Sequence, residues 1–127
     1  MFSAADKRQH LARFTADLGR NVSTQIFQAD YQRTLEIIKK DYNDPYVCCV
    51  NLPDRDALMK KRTAIFNEII SNSVGEMGEK FFVADLFNSR LNNDFYYDNT
   101  VDGIHPDEDG MKIIAEVVEK AISDNCK

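Results

Sequence analysis

Residues 46–50, Tyr46-Val-Cys-Cys-Val50, form a short, almost continuous apolar run rich in β-favouring side chains. Closed by the Leu52-Pro53-Asp54 breaker, the run predicts a strand buried on both faces. Phe81-Phe-Val-Ala84, ending at Asp85, is a second run of the same kind. Between them lies a helical pattern from about Asp56 to Val74, closed by Gly75 and Gly78. Its apolar stripe is made by Leu58, Ile65 and Ile69 together with Phe66, Ile70 and Val74. Strand, helix and strand in that order predict an α/β fold with a parallel sheet and right-handed crossovers.

Helical patterns also flank this unit. Leu11, Phe14 and Leu18 form a stripe within residues 6–18, stopped by Gly19. Ser23 and Thr24 open another pattern, with Phe27, Tyr31, Leu35 and Ile38 on one face, which ends before Asp44-Pro45. The last helix is expected from Pro106 to about Asp124, with Met111, Ile114, Ala115, Val118 and Ile122 facing inward. Only two strands are convincing, and two parallel strands make a poor sheet by themselves. The open edge of the 46–50 strand therefore calls for cover, from the first helix and loops, from a second copy or completing chain, or from a larger domain.

The chain has 127 residues, 43% hydrophobic and 29% charged, the composition of one ordinary globular domain spanning residues 1–127. No apolar run reaches the roughly 18 residues a membrane span requires, and the first residues lack a secretory signal's apolar core. Asp plus Glu total 21 against 16 Lys plus Arg, a net charge of −5 that argues against nucleic acid or an anionic membrane as partner. Cys48 and Cys49 are adjacent, so their side chains point to opposite faces of a strand and no simple disulfide framework fits. They read as small core residues and Cys126 as a tail thiol, in a reducing, cytoplasmic setting. No Cys and His grouping at zinc spacing occurs, and no metal or other cofactor is expected.

The residues most suggestive of chemistry are Asp102-Gly103-Ile104-His105-Pro106, where a polar loop meets a helix. Pro106 suits a first helical position, and Asp107 and Glu108 suit the positive end of the helix dipole. A turn can bring the Asp102 carboxylate to the His105 imidazole. That contact fixes the tautomer and frees the other ring nitrogen to take a proton from a nucleophile. The competing reading is a surface hydrogen bond or helix cap. Asp94, Asp98, Asp102, Asp107, Glu108 and Asp109 crowd the same region, but they lack the alternating ligands and central Gly of a calcium loop and read as solvated charges. His10 and Lys60-Lys61-Arg62 read as wet helix faces. Phe95, Tyr96 and Tyr97 either line a substrate mouth or pin the loop to the core.

The order of features from Ser23 onward resembles the SGNH hydrolase superfamily, the GDSL-type lipases and esterases. The likeness rests on a helix with Phe27, Tyr31 and Leu35, and on a strand running into Leu52-Pro53. It continues through a long helix carrying Asn67-Glu-Ile-Ile and the strand Phe81-Phe-Val-Ala-Asp85-Leu86. The terminal motif Asp102-Gly-Ile-His105-Pro, followed by Gly110, is its specific part, and the whole covers about residues 19–123. The resemblance implies part of a flavodoxin-like, three-layer α/β/α domain with two or three parallel strands and about four helices. It also implies hydrolysis of a small-molecule carboxylic ester, with His105 as general base and Asp102 as its orienter. Gly19-Arg20-Asn21 resembles the family's Gly-x-Asn segment, which makes Asn21 a candidate oxyanion donor, although Val22 stands where the family carries Asp. Asn21 also reads as a residue of a helix-linking turn.

The departure lies at the nucleophile. Family members carry a Gly-Asp-Ser block after a first strand, and this sequence contains none. Ser3 has no strand before it, Ser23 reads as a helix cap, and Ser71, Ser73, Ser89 and Ser123 fall in helices or loops. The chain thus looks like the C-terminal portion of the fold, bearing the base without the nucleophile. A non-catalytic interaction domain is the alternative reading.

Overall fold

We describe the protein from a computed structural model, in which residues 3–9, 13, 23–55, 57–92 and 97–126 are described. Strands β1 (Val47–Val50) and β2 (Phe81–Ala84) pair in parallel, with Val47 opposite Phe81 and Val50 opposite Ala84. Helix α1 (Thr24–Asp41) precedes β1, α2 (Lys60–Gly75) joins the strands, and α3 (Glu108–Asn125) follows β2. The fold is therefore α/β with a two-stranded parallel sheet among the described residues. No described helix is long and apolar enough to cross a membrane.

Helices α1 and α3 start where the sequence supplies a capping side chain. The Ser23 hydroxyl accepts from the Ile26 amide at 3.4 Å, and the Asp107 carboxylate accepts from Gly110 at 2.9 Å. Pro106 is consequently not the first helical residue; it precedes the cap and forms an antiparallel bridge with Thr100. The helix expected from Asp56 begins instead as a 3-10 turn over Ala57–Met59 and becomes α-helical at Lys60. Residues 4–9 are helical, whereas most of the 6–18 pattern, with Leu11, Phe14, Leu18 and His10, lies outside the described residues.

Alternation along the strands sorts the packing. Leu35 of α1 and Ile70 and Val74 of α2 close over Cys49 and Phe81, with Phe27, Tyr31, Val47 and Val83 around them. Phe66 meets Phe27 edge-on at 4.8 Å, which ties α2 to α1. Burying each such large side chain contributes about 1.5–3 kcal/mol. Cys48, Val50, Phe82 and Ala84 point to the opposite face, where α3 packs on the strands. Phe82 and Ala84 are buried there, but Val50 is 43% exposed and Cys48 only half-buried. The expectation of a strand buried on both faces thus fails for β1, because on that face α3 covers mainly β2.

Helix faces are narrower than the sequence stripes for the same reason. On α2 the Phe66, Ile70 and Val74 stripe is buried, with Thr63, Asn67 and Ser73 beside it, while Ile65 is exposed. On α3 the half-buried residues are Ile113, Ile114, Val117, Val118 and Ala121, whereas Met111, Ala115 and Ile122 are exposed. Among the described residues, two four-residue strands offer too little surface to cover helices α1, α2 and α3.

Candidate functional site

Parallel strands end on the same side of the sheet, and two asparagines organise that end. Asn51, the first residue past β1, accepts from the Leu86 and Phe87 amides at 2.6 and 3.2 Å and donates to Asp85 Oδ1 at 2.9 Å. Asn67 projects from α2 and exchanges two 2.9 Å hydrogen bonds with the backbone of Leu52. Both asparagines are buried, so each replaces backbone pairing where the strands stop. Their amides hold the chain rather than a ligand. Beside them lies an open cleft of about 440 Å³ with Val83, Ala64 and Phe87 as its apolar lining and Glu68 and Ser71 from α2. Neither Asp102 nor His105 lines it.

The chain reaches α3 through a tight loop. Thr100 and Pro106 bridge its base, the Val101 amide donates to the His105 carbonyl at 2.8 Å, and the Asp107 amide donates to the Asn99 carbonyl at 2.9 Å. Thr100 is buried, and its Oγ1 accepts from the Gly103 amide at 2.9 Å. Gly103 has φ +93°, a conformation L side chains rarely adopt, and a Cβ there would collide with the backbone of Lys7. Gly is required at this position twice over.

Inside this loop Asp102 uses both carboxylate oxygens. Oδ1 accepts from the amides of Ile104 at 2.9 Å and His105 at 2.7 Å, and Oδ2 lies 2.6 Å from His105 Nδ1. Burial works to raise the Asp102 pKa. The His105 amide, its ring and the Ile104 amide outweigh that, so the carboxyl sits well below the usual range and is ionised at neutral pH. An ionised carboxylate can only accept, so Nδ1 is the donor, and in the neutral form of the ring Nε2 is the nitrogen that keeps a lone pair. The Asp102 side chain is 10% exposed and the His105 side chain 73%. A buried anchor thus presents an accessible imidazole in one tautomer.

Of the sequence candidates, the structure brings Asp102 and His105 together. Asn21 lies outside the described residues, as do Asp94, Phe95 and Tyr96. All six serines are described, and none is hydrogen-bonded to His105. Ser3 and Ser23 cap helical turns, Ser89 bonds to Leu86 and Leu91, and Ser73 is buried with its hydroxyl unpaired. Burial pushes the Cys48 and Cys49 thiols up, away from the nucleophilic thiolate. Among the described residues no group of three His, Cys, Asp or Glu side chains is arranged to hold a metal ion.

Sequence reasoning missed two features, a brace on the His105 loop and a buried carboxylate after β1. Lys7 Nζ donates to the Thr100 carbonyl at 2.6 Å across 93 positions, a contact no local pattern signals. Asp54, read as a strand breaker, is a buried carboxylate 3.6 Å from Lys60 Nζ, with its Oδ1 lacking a hydrogen-bond partner. Comparison with protein-family models, with curated proteins and with solved structures finds no match.

Proposed function

We propose that this chain carries the acid–base half of an ester hydrolase of the SGNH type, within a flavodoxin-like three-layer architecture. The observation that supports it most directly is the 2.6 Å contact between an ionised, amide-anchored Asp102 and an accessible His105. In this reading His105 Nε2 takes the proton from an attacking hydroxyl and later returns it to the leaving alcohol. Asp102 keeps the ring in register and stabilises the imidazolium that forms. Asn21 is the candidate donor to the oxyanion. The attacking hydroxyl is supplied by a completing segment or chain, or, more slowly, by water. Turnover by this chain alone is then orders of magnitude below that of a complete triad.

The test is hydrolysis of a short-chain p-nitrophenyl ester. His105→Ala lowers the rate by about 10²-fold or more, the size of a general-base contribution. A rate unchanged by His105→Ala removes the imidazole from the chemistry and with it this reading. Labelling with a fluorophosphonate probe, followed by peptide mapping, locates any activated serine and gives none on this chain alone.

The exposed flank of β1 favours a second reading, an interaction domain. Tyr46 and Val50 are 46% and 43% exposed on a strand whose outer edge no other strand joins among the described residues, and such edges recruit a further strand. A second copy or a completing chain would pair there. No nucleic acid enters either reading, and the cytoplasmic setting belongs to both as a proposal.

A further inference from the structure

The loop that presents His105 is braced from the far end of the chain. Ser3 and Asp6 cap a helical turn reciprocally: Ser3 donates to Asp6 Oδ2 from its amide at 3.1 Å and from its hydroxyl at 2.8 Å, and the Asp6 amide donates to Ser3 Oγ at 3.1 Å. The Lys7 amide then donates to the Ser3 carbonyl at 3.0 Å, so Lys7 is fixed within a preformed turn. From there its ammonium reaches the Thr100 carbonyl, and its own backbone lies against Cα of Gly103 in the space a Cβ would need. Thr100 and Gly103 flank Asp102 on either side, and they are joined by the Thr100 Oγ1 contact to the Gly103 amide. One residue thus touches both flanks of the carboxylate that orients the imidazole.

We propose that Lys7 is a positioning residue for the Asp102–His105 pair, clamping the 100–105 loop through its ammonium on Thr100 and its backbone on Gly103. The proposal rests on reading Asp102 and His105 as the acid–base pair, although its geometry is independent of any substrate. A charge-assisted hydrogen bond to a half-buried carbonyl is stronger than a neutral one, and its loss frees the loop to open locally. Arg keeps the charge and a donor at this reach, whereas Met keeps the length and apolar stem without either.

The experiment compares wild type, Lys7→Met and Lys7→Arg by NMR, reading the His105 ring nitrogens for tautomer and the exchange of the Val101 and Gly103 amides. Lys7→Met is expected to speed exchange at both amides about tenfold, the factor that loss of one such bond implies. It is also expected to replace the single Nδ1–H tautomer by a mixture. Lys7→Arg restores both signals, and the Ile70 amide, in the core, is unchanged throughout. The proposal is overturned by wild-type ring signals in Lys7→Met, by equal acceleration at Ile70, or by failure of Lys7→Arg to restore them. Ester turnover separates the two claims. If the ring signals move as expected while neither Lys7→Met nor His105→Ala alters turnover, Lys7 still positions the loop and the hydrolase reading falls.

Discussion

Asp102 serves two backbone amides and one ring nitrogen, so its replacements separate shape from charge. Asp102→Ala leaves the Ile104 and His105 amides without their acceptor and costs about 1–3 kcal/mol, read as a lower urea midpoint. Asp102→Asn keeps an acceptor for those amides, costs less, and turns a donor toward Nδ1, so the ring adopts the other tautomer in nitrogen NMR. The acid limb of stability follows from the same contacts. A carboxyl held below its unfolded value contributes stability that is fully present above the unfolded pKa of about 3.9 and is lost as pH falls toward the folded one. Asp85 adds to this: burial works to raise its pKa, but bonds from Asn88 and Asn51 outweigh it and hold it low. The wild-type urea midpoint should therefore fall steadily below about pH 4, and Asp102→Asn should shallow that fall without abolishing it. An identical acid limb in the variant would contradict the anchored carboxylate.

At the scale of elements, the start of α3 decides how the His105 loop is held. Gly110, the one buried residue of that helix, lets the carbonyl of Asn99 lie against its first turn, and an added Cβ would also meet Pro106 Cβ at 3.1 Å. Ala is the better helix former by about 1 kcal/mol, while crowding a packed site costs about 1–3 kcal/mol. Packing wins because the closest atom is a backbone carbonyl that cannot swing away. Gly110→Ala is thus expected to lower stability, and Asp107→Ala, which only removes the cap, to cost about 1 kcal/mol. Thermal unfolding of the two variants checks both, and a stabilised Gly110→Ala would show that the loop does not rest on the helix. In the sequence Asp107 reads as a first-turn charge suited to the helix dipole, and Gly110 stands out only through the family resemblance. Their division of labour was not legible there, since Pro106 looks equally suited to the first helical position until its bridge to Thr100 is seen.

For the whole molecule, the imbalance between helix and sheet among the described residues leaves apolar surface uncovered. Among the described residues, helices α1, α2 and α3 share two four-residue strands, and exposed apolar side chains remain at Tyr46 and Val50 of the β1 region and at Met111 and Ile122 of α3. Self-association through the β1 edge is the expected result, visible as concentration-dependent sedimentation at high micromolar protein. Val50→Lys places a charge on that edge strand without disturbing the buried face and should return the chain to a monomer. A wild-type monomer at those concentrations would count against pairing through this edge.

The two apolar runs, the helical periodicities between them and the Asp102-to-His105 spacing were enough to specify an α/β chain and its candidate pair, because strand alternation, helix caps and a three-residue turn are local physics. Which faces are buried was not local. The open flank of β1, the exposure of Ile65 and Met111, the asparagine clips at Leu52 and Leu86, and the reach of Lys7 to Thr100 depend on where distant segments stop covering one another. Burial and long-range hydrogen bonds are properties of pairs of segments, and only the assembled chain fixes those pairs.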